Sequence, residues 1–188
     1  IPVSCITDRD VMPECAPAIC IDEKYEDKDN WPKKNRKWRV ESEIEDKEKY
    51  IQKIEKKANG QNVKTFIPEQ WTLEYELAAN GLGEEMLQTI ATMLAEKIQD
   101  KEKNEEKKEE LLEKYTKEYN EYQNKEAKAS YVYSFFSHKL VSKAEFAQQF
   151  SFDLENIFKG KQVEEIVAVL PNYLVKAIEY VTTKIEGI

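Results

Sequence analysis

Two aspartates directly after an apolar segment are the strongest chemical signal in the sequence. Residues 1–7 (IPVSCIT) are rich in β-branched side chains and predict a buried strand. Asp8 and Asp10 follow it, and alternate residues of an extended chain point the same way. Adjacent carboxylates repel each other, and a cation between them relieves that repulsion. The pattern therefore predicts a Mg²⁺ site, and the open alternative is an Asx-turn that ends the strand.

A further carboxylate follows the second predicted strand, which spans Val63 to Ile67. Thr72 is the expected N-cap of a short helix that stops near Asn80-Gly81. Glu74 falls in its first turn, where the helix dipole favours a negative charge. Because both strands would end at the same edge of a parallel sheet, Glu74 could also face the metal site. Both interpretations remain open.

A lysine at a predicted helix start is the third chemical signal. Ser142 is the expected N-cap of this helix, and Glu145 would complete a capping box. Lys143 would then lie on the first turn, which is unfavourable for a cation that has no anionic partner. A phosphate or a carboxylate cluster would be such a partner, and an exposed surface lysine is the alternative.

The elements that must position these residues follow from the apolar periodicity. Residues 1–67 predict a parallel strand–helix–strand unit, whose helix carries Val40, Ile44, Ile51 and Ile54 and stops at Asn59-Gly60. Between the first strand and this helix we expect a long loop with a short strand at Ala18–Ile21. All residues after Thr72 predict helices. The most regular apolar stripes lie at residues 86–98, 111–122, 142–150, 163–170 and 173–185. The first two should form an antiparallel arm, joined by the charged segment 99–110 as an exposed helix or a mobile connector.

The composition limits how the chain could bind nucleic acid. Its 188 residues carry a net charge of −8, so contact with phosphates would depend on local basic groups such as the run 33–39 and on metal. Three cysteines near one end predict reduced thiols and a cytoplasmic protein. The sequence has no apolar run of about 20 residues, so we expect no membrane association. The first residue is Ile1, which suggests a fragment of a longer protein.

Three short segments, in this order, resemble the C-terminal part of the OLD-family (overcoming lysogenization defect) endonucleases, including the Gabija-type antiphage nucleases. These segments are Ile6-Thr7-Asp8-Arg9-Asp10, Thr72-Leu73-Glu74, and Ser142-Lys143 followed by Phe146-Ala147-Gln148. The resemblance implies an α/β fold, with part of a Toprim nuclease domain over residues 1–80. A helical insertion and a C-terminal helical region that carries Lys143 would occupy residues 81–188.

The same resemblance implies a Mg²⁺- or Mn²⁺-dependent endonuclease that nicks or cleaves double-stranded DNA in antiphage defence. Asp8, Asp10 and Glu74 would be metal ligands, and Lys143 would be a catalytic cation near the scissile phosphate. Such proteins form oligomers, bind ATP through an N-terminal ATPase domain, and in Gabija systems act with a helicase-like partner.

The chain departs from the family pattern in one respect. The glutamate of the first Toprim strand is missing, as is any G-x-x-x-x-G-K-[ST] loop, so we expect an incomplete catalytic set. Two alternatives remain open. One is a phosphotransfer enzyme with Asp8 as nucleophile, although the haloacid-dehalogenase fold needs a later strand ending in carboxylates that we do not find. The other is a non-catalytic helical interaction module.

Overall fold

The computed structural model describes residues 1–20, 39–57, 60, 62–98 and 101–183, with the backbone alone at 101 and 102. This part of the chain is a mixed α/β structure in which helices predominate. A 3₁₀ turn (Glu41–Glu43) precedes the second helix, and a π turn (Ala78–Leu82) joins the third helix to the fourth. In chain order the strands and helices are β1 (Val3–Ile6), β2 (Val11–Met12), α1 (Ala16–Cys20), β3 (Arg39–Val40), α2 (Lys47–Glu55), β4 (Val63–Phe66), α3 (Leu73–Leu77), α4 (Gly83–Ala95), α5 (Lys101–Glu121), α6 (Lys125–Ser137), α7 (Lys143–Phe158), α8 (Val163–Val169) and α9 (Asn172–Thr182).

Strands β1 and β4 form a parallel pair, as the predicted strand–helix–strand unit implied. Their register runs from Val3 opposite Val63 to Ile6 opposite Phe66. The amide of Thr7 donates to the carbonyl of Phe66 at 3.2 Å, which extends the pairing by one step. Both strands therefore end at the same edge, and the segments that follow them leave the sheet side by side.

The predicted strand at Ala18–Ile21 is wrong, because residues 16–20 form helix α1. The amide of Ala16 donates to the carbonyl of Pro13 at 3.0 Å, which closes the first turn. Pro17 is compatible with this turn because the first helical residues need no intrahelical donor. The predicted loop extended from Asp10 to about Arg39, and its first part contains β2 and α1. Residues 21–38 lie outside the described residues, so of the basic run 33–39 only Arg39 is described. That residue and Val40 form an unpredicted parallel strand, β3, with β2.

The helix predicted between the two strands begins later than its apolar periodicity suggested. Asp46 caps it by accepting a hydrogen bond from the amide of Lys49 at 2.9 Å, so the helix spans Lys47–Glu55. Val40 lies in strand β3, and Ile44 follows the 3₁₀ turn. The expected stop at Asn59 lies outside the described residues.

Helices α4 and α5 form the predicted antiparallel arm. Gly83, the first residue of α4, lies against Tyr119 near the end of α5, and a Cβ on Gly83 would lie 2.7 Å from the Tyr119 hydroxyl. The charged segment before Leu111 is helical from Lys101 onward, with an ion pair of 2.8 Å between Lys107 and Glu110. The exposed-helix interpretation is therefore confirmed for the part of this segment that the structure describes.

One buried cluster holds the strand-rich and helical parts together. It includes Met12 from β2, Trp71 and Tyr75 from the α3 region, Met86 from α4 and Phe136 from α6. The secondary structure has no gap at residue 80, because the π turn runs through Gly81, whose φ is 115°, and leads directly into α4. The division into residues 1–80 and 81–188 stays a prediction.

Helix α6 is buried along most of its length, since its side chains from Ala129 to Phe136 are all buried. Such a helix has no polar face, so apolar periodicity did not single it out. Within the described part of the chain, no helix combines the length and apolar character needed to cross a membrane.

The thiol of Cys20 and the imidazole of His138 both contact the other helix of the α1–α6 pair or its end. All three cysteines are free, as predicted. The thiol of Cys20 donates to the carbonyl of Ser130 at 3.2 Å, and burial raises its pKa to about 12. His138 places Nε2 3.0 Å from the carbonyl oxygen of Cys20. These contacts fix α1 against α6.

Candidate functional site

The carboxylate of Asp8 joins the end of β1 to the start of α3. Its Oδ1 accepts a hydrogen bond from the amide of Leu73 at 3.1 Å. The Thr72 hydroxyl accepts from the amide of Tyr75 at 3.4 Å, which confirms Thr72 as the N-cap. Asp8 is thus held at the edge where both parallel strands end.

Glu74 and Lys143 form an ion pair across the same edge. The Nζ of Lys143 lies 2.8 Å from Oε2 of Glu74, with 40% and 17% of the two side chains exposed. Ser142 caps α7 by accepting from the amide of Glu145 at 3.5 Å, so Lys143 is the first helical residue, as predicted. The expected anionic partner of this lysine is Glu74.

An aromatic side chain that the sequence did not single out completes the surroundings of Lys143. The Nζ of Lys143 lies 4.8 Å from the ring centroid of Tyr133, a residue of α6 that is 1% exposed. A cation over an aromatic face is attracted by the ring quadrupole. The apolar periodicity did not single out α6, and the position of this ring against Lys143 was not predicted.

Electrostatics couple these groups to one another. Burial raises the pKa of Asp8, and the hydrogen bond from Leu73 opposes this shift. Two neighbouring charges make smaller contributions: that of Glu74 raises the pKa of Asp8, and that of Lys143 lowers it. Burial also raises the pKa of Tyr133, with further contributions from Glu74 and Asp8, so its hydroxyl stays protonated. Asp8, Glu74 and Lys143 therefore form one electrostatic unit, which we call the carboxylate–lysine site.

Asp10 lies at the border of this site. It is exposed and has a φ of 57°, so the premise that Asp8 and Asp10 follow one extended strand is wrong. Strand β1 ends at Ile6, and the amides of Arg9 and Asp10 both donate to the carbonyl of Trp71, at 3.1 and 3.2 Å. These bonds turn the chain at Asp10. Its charge is the smallest of the contributions that raise the pKa of Asp8.

The donor chemistry of the site suits a hard cation, but the number of converging donors is low. Carboxylate oxygens are the ligands that Mg²⁺ prefers, and a cation near Asp8 would reverse the rise in its pKa. Within the described ranges, no group of three or more His, Cys, Asp or Glu side chains is placed to hold a metal ion. Glu74 is instead engaged by Lys143.

Comparisons with known proteins found no match to this chain. No family model matches the chain, and neither a curated protein nor a solved structure matches it at a significant level. The site is therefore interpreted from its own residues: Asp8, Glu74 and Lys143, brought together from three distant segments at the carboxyl edge of a parallel sheet.

Proposed function

We propose that this chain is part of a metal-dependent DNA endonuclease of the OLD-family Toprim type. The observation that carries the proposal is the meeting of Asp8, Glu74 and Lys143 where β1 and β4 end. In open α/β sheets ligands bind outside the carboxyl ends of the strands. A cation beside two acidic side chains at that edge suits the handling of a phosphodiester.

The reaction is the addition of one water molecule across a phosphorus–oxygen bond. The water oxygen bonds to phosphorus, the bond to the sugar oxygen breaks, and one proton of the water ends on the leaving oxygen. Lys143 would stabilise the negative charge that develops on the phosphate. Asp8 and Glu74 would hold Mg²⁺ or Mn²⁺ with water molecules as further ligands, and Asp10 would contribute from the border of the site. When bound, such an ion supplies Lewis-acid stabilisation and an activated water.

The surface beside the site supports a phosphate-bearing substrate despite the net charge of −8. A pocket of about 560 Å³ is lined by Lys139 and Lys143 together with Ser137 and Ser142. The two ammonium groups and the Ser142 hydroxyl are potential donors to phosphate oxygens, whereas the Ser137 hydroxyl donates to the carbonyls of Cys20 and Ser134. Double-stranded DNA is the proposed substrate. Oligomerisation, a helicase-like partner, an ATPase domain elsewhere in the protein and a role in antiphage defence are proposed from the family resemblance alone.

One observation favours a non-catalytic role instead. Glu74 and Lys143 neutralise each other at 2.8 Å, as structural ion pairs do. In that case the pair would only fix α7 against α3, and the chain would be a helical interaction module. A phosphotransfer role for Asp8 is the remaining alternative, and a beryllofluoride adduct on Asp8 would support it over hydrolysis.

The test is a supercoiled-plasmid nicking assay in Mg²⁺, in Mn²⁺ and in EDTA, with the intact protein of which this chain is proposed to be a part. We expect metal-dependent nicking that Asp8→Asn abolishes. Lys143→Gln should slow nicking by about 10²–10³-fold, the usual effect of losing one well-placed donor to developing charge. The control is Lys117→Gln, which removes the same charge from an exposed position on α5. Lys139 is unsuitable as a control because it lines the same pocket as Lys143.

Two results would contradict the proposal. One is the absence of nicking by the intact wild-type protein with either metal. The other is nicking that Asp8→Asn and Lys143→Gln leave at the wild-type rate, which would leave a structural role for the ion pair. Thermal unfolding of each variant shows whether a loss of activity reflects a loss of folded protein.

A further inference from the structure

Tyr133 lies between the two helix starts that form the carboxylate–lysine site. It belongs to α6 and is almost fully buried. Its ring centroid lies 4.1 Å from that of Trp71, which precedes α3, and 4.8 Å from Nζ of Lys143, the first residue of α7. The same ring lines the pocket that contains Lys139 and Lys143. The ring is therefore fixed by packing and also contacts the cation of the site.

The hydroxyl end of Tyr133 reaches the start of α3. Burial raises the pKa of Tyr133, and the charges of Glu74 and Asp8 add to this shift, whereas a hydrogen bond with the side chain of Thr72 lowers it. Thr72 is the N-cap of α3. One buried side chain thus contacts the N-cap of α3 through its hydroxyl and Lys143 through its ring, and so links the two helix starts.

Lys143 has two partners that attract it in different ways. Glu74 is an anion at 2.8 Å, and a phosphate could take its place because both groups carry negative charge. The ring of Tyr133 is uncharged and attracts the ammonium through its quadrupole, so this attraction does not depend on Glu74. A phosphate that binds Lys143 would therefore displace the first partner but not the second.

Without the ion pair, two effects favour departure of the ammonium from the site. The Lys143 side chain is 40% exposed, and an unpaired lysine regains rotamer freedom. Lys143 is also the first residue of α7, where the helix dipole disfavours a cation. A partner that stays in place when Glu74 is released is therefore needed to keep the ammonium beside the two carboxylates.

We propose that Tyr133 is a positioning residue, whose ring keeps the ammonium of Lys143 at the carboxylate–lysine site when Glu74 no longer pairs with it. The role in catalysis rests on the proposed function, because the substrate phosphate is the group that takes the place of Glu74. Tyr133 acts through Lys143 and not on the phosphate itself. The contact between ring and ammonium is a property of the fold and can be measured without cleavage.

The test uses the ring-current shift, which is the upfield displacement that an aromatic ring imposes on the resonances of nuclei above its face. The full chain is produced with ¹³C at lysine Cε, and the Hε resonance of Lys143 is assigned by its absence from Lys143→Gln. The lysine Hε resonance of the same chain unfolded in urea is the baseline. In the wild type we expect the Lys143 resonance upfield of this baseline.

Glu74→Gln separates the two partners of Lys143, because it removes the ion pair and leaves the ring in place. A cation over an exposed aromatic ring is favoured by about 2- to 5-fold, so about two thirds or more of the upfield shift should remain. Tyr133→Phe keeps the ring face and should keep the shift, whereas Tyr133→Leu should abolish it. A Lys143 resonance at the urea baseline in Glu74→Gln would overturn the proposal, whether or not Tyr133→Leu folds.

Tyr131→Leu is the matched control for the loss of a buried ring from α6. Tyr131 is a buried residue of the same helix, and its ring packs against those of Tyr122 and Phe135. This variant should leave the Lys143 resonance where it is in the wild type. Equal loss of the shift in Tyr131→Leu and Tyr133→Leu would mean that α6 has loosened as a whole, and it would speak against a specific role of Tyr133.

Nicking by the intact protein connects the contact to the proposed reaction. If Tyr133 acts only through Lys143, Tyr133→Leu should lower kcat by about 2- to 5-fold in the wild type and have no further effect in Lys143→Gln. The same loss in both backgrounds would contradict the positioning role. A retained shift in an intact protein that never nicks plasmid supports the contact and overturns only the nuclease proposal.

Discussion

Removing the charge of Lys143 tests whether the carboxylate–lysine site is one electrostatic unit. Lys143→Gln keeps the length of most of the side chain and leaves Glu74 without its partner at 2.8 Å. Exposed ion pairs contribute about 0.2–1 kcal/mol. Glu74 is only 17% exposed but Lys143 is 40% exposed, so solvent screening keeps the value within this range. We expect a coupling energy of about 0.5–1 kcal/mol.

The assay is a double-mutant cycle of Lys143→Gln and Glu74→Gln, followed by thermal unfolding. For a chain of this size about 1 kcal/mol corresponds to roughly 2–4 °C in melting temperature. Lys143→Gln should therefore lower the melting temperature by about 1–4 °C. The double variant should lose less than the sum of the two single variants, because each single variant leaves one charge unpaired.

The pKa of Asp8 gives a second, independent measure from the same four proteins. The charge of Lys143 lowers this pKa and that of Glu74 raises it. Carboxyl NMR titration should therefore show a higher Asp8 pKa in Lys143→Gln and a lower one in Glu74→Gln. A coupling energy of zero, together with an Asp8 pKa that neither substitution moves, would refute the reasoning that the three residues interact.

Two further perturbations follow from the geometry. The folded-state pKa of Asp8 is raised above 3.8, so ionisation of Asp8 costs stability as pH rises through the folded pKa. Asp8→Asn should therefore raise the melting temperature at pH 7, and the gain should vanish below about pH 3.9, where the unfolded carboxyl is also protonated; an equal gain at both pH values would contradict this. Gly83→Ala should destabilise the α4–α5 arm by about 1–3 kcal/mol, because its Cβ would lie 2.7 Å from the hydroxyl of the buried Tyr119. Tyr119→Leu in the same chain should recover part of that loss, and additive losses in the double variant would speak against the clash.

The sequence was informative where one local rule decides the outcome. The β-branched residues before Asp8 and between Val63 and Phe66 predicted two strands, and their parallel pairing was confirmed. Thr72 and Ser142 were predicted as N-caps because their hydroxyls can accept from the first helical turn, and both do so. These features depend on a few neighbouring residues.

The sequence was less informative about features that depend on tertiary contacts. Whether Ala18 lies in a strand or a helix depends on packing of α1 against α6, which no local pattern encodes. The backbone turn at Asp10 depends on two hydrogen bonds to the carbonyl of Trp71, which is distant in sequence. The extended backbone assumed from Asp8 to Asp10 was therefore wrong. Tyr133 lies under Lys143 only because α6 and α7 meet there.

The two interpretations of Glu74 offered by its sequence position are compatible with each other. As the second residue of α3 it lies where a helix favours negative charge, and that same placement brings it to Lys143 at the start of α7. Lys143 lies at a helix N-terminus, where the helix dipole disfavours a cation. An anion beside its ammonium group offsets this cost, so Lys143 favours a partner whose negative charge it can reach easily. A phosphodiester entering the Lys139–Lys143 pocket would compete with Glu74 for this lysine. A contact between Lys143 and this phosphate would release Glu74 beside Asp8. Under the proposed nuclease function, substrate binding would thereby increase the negative charge available to a metal ion.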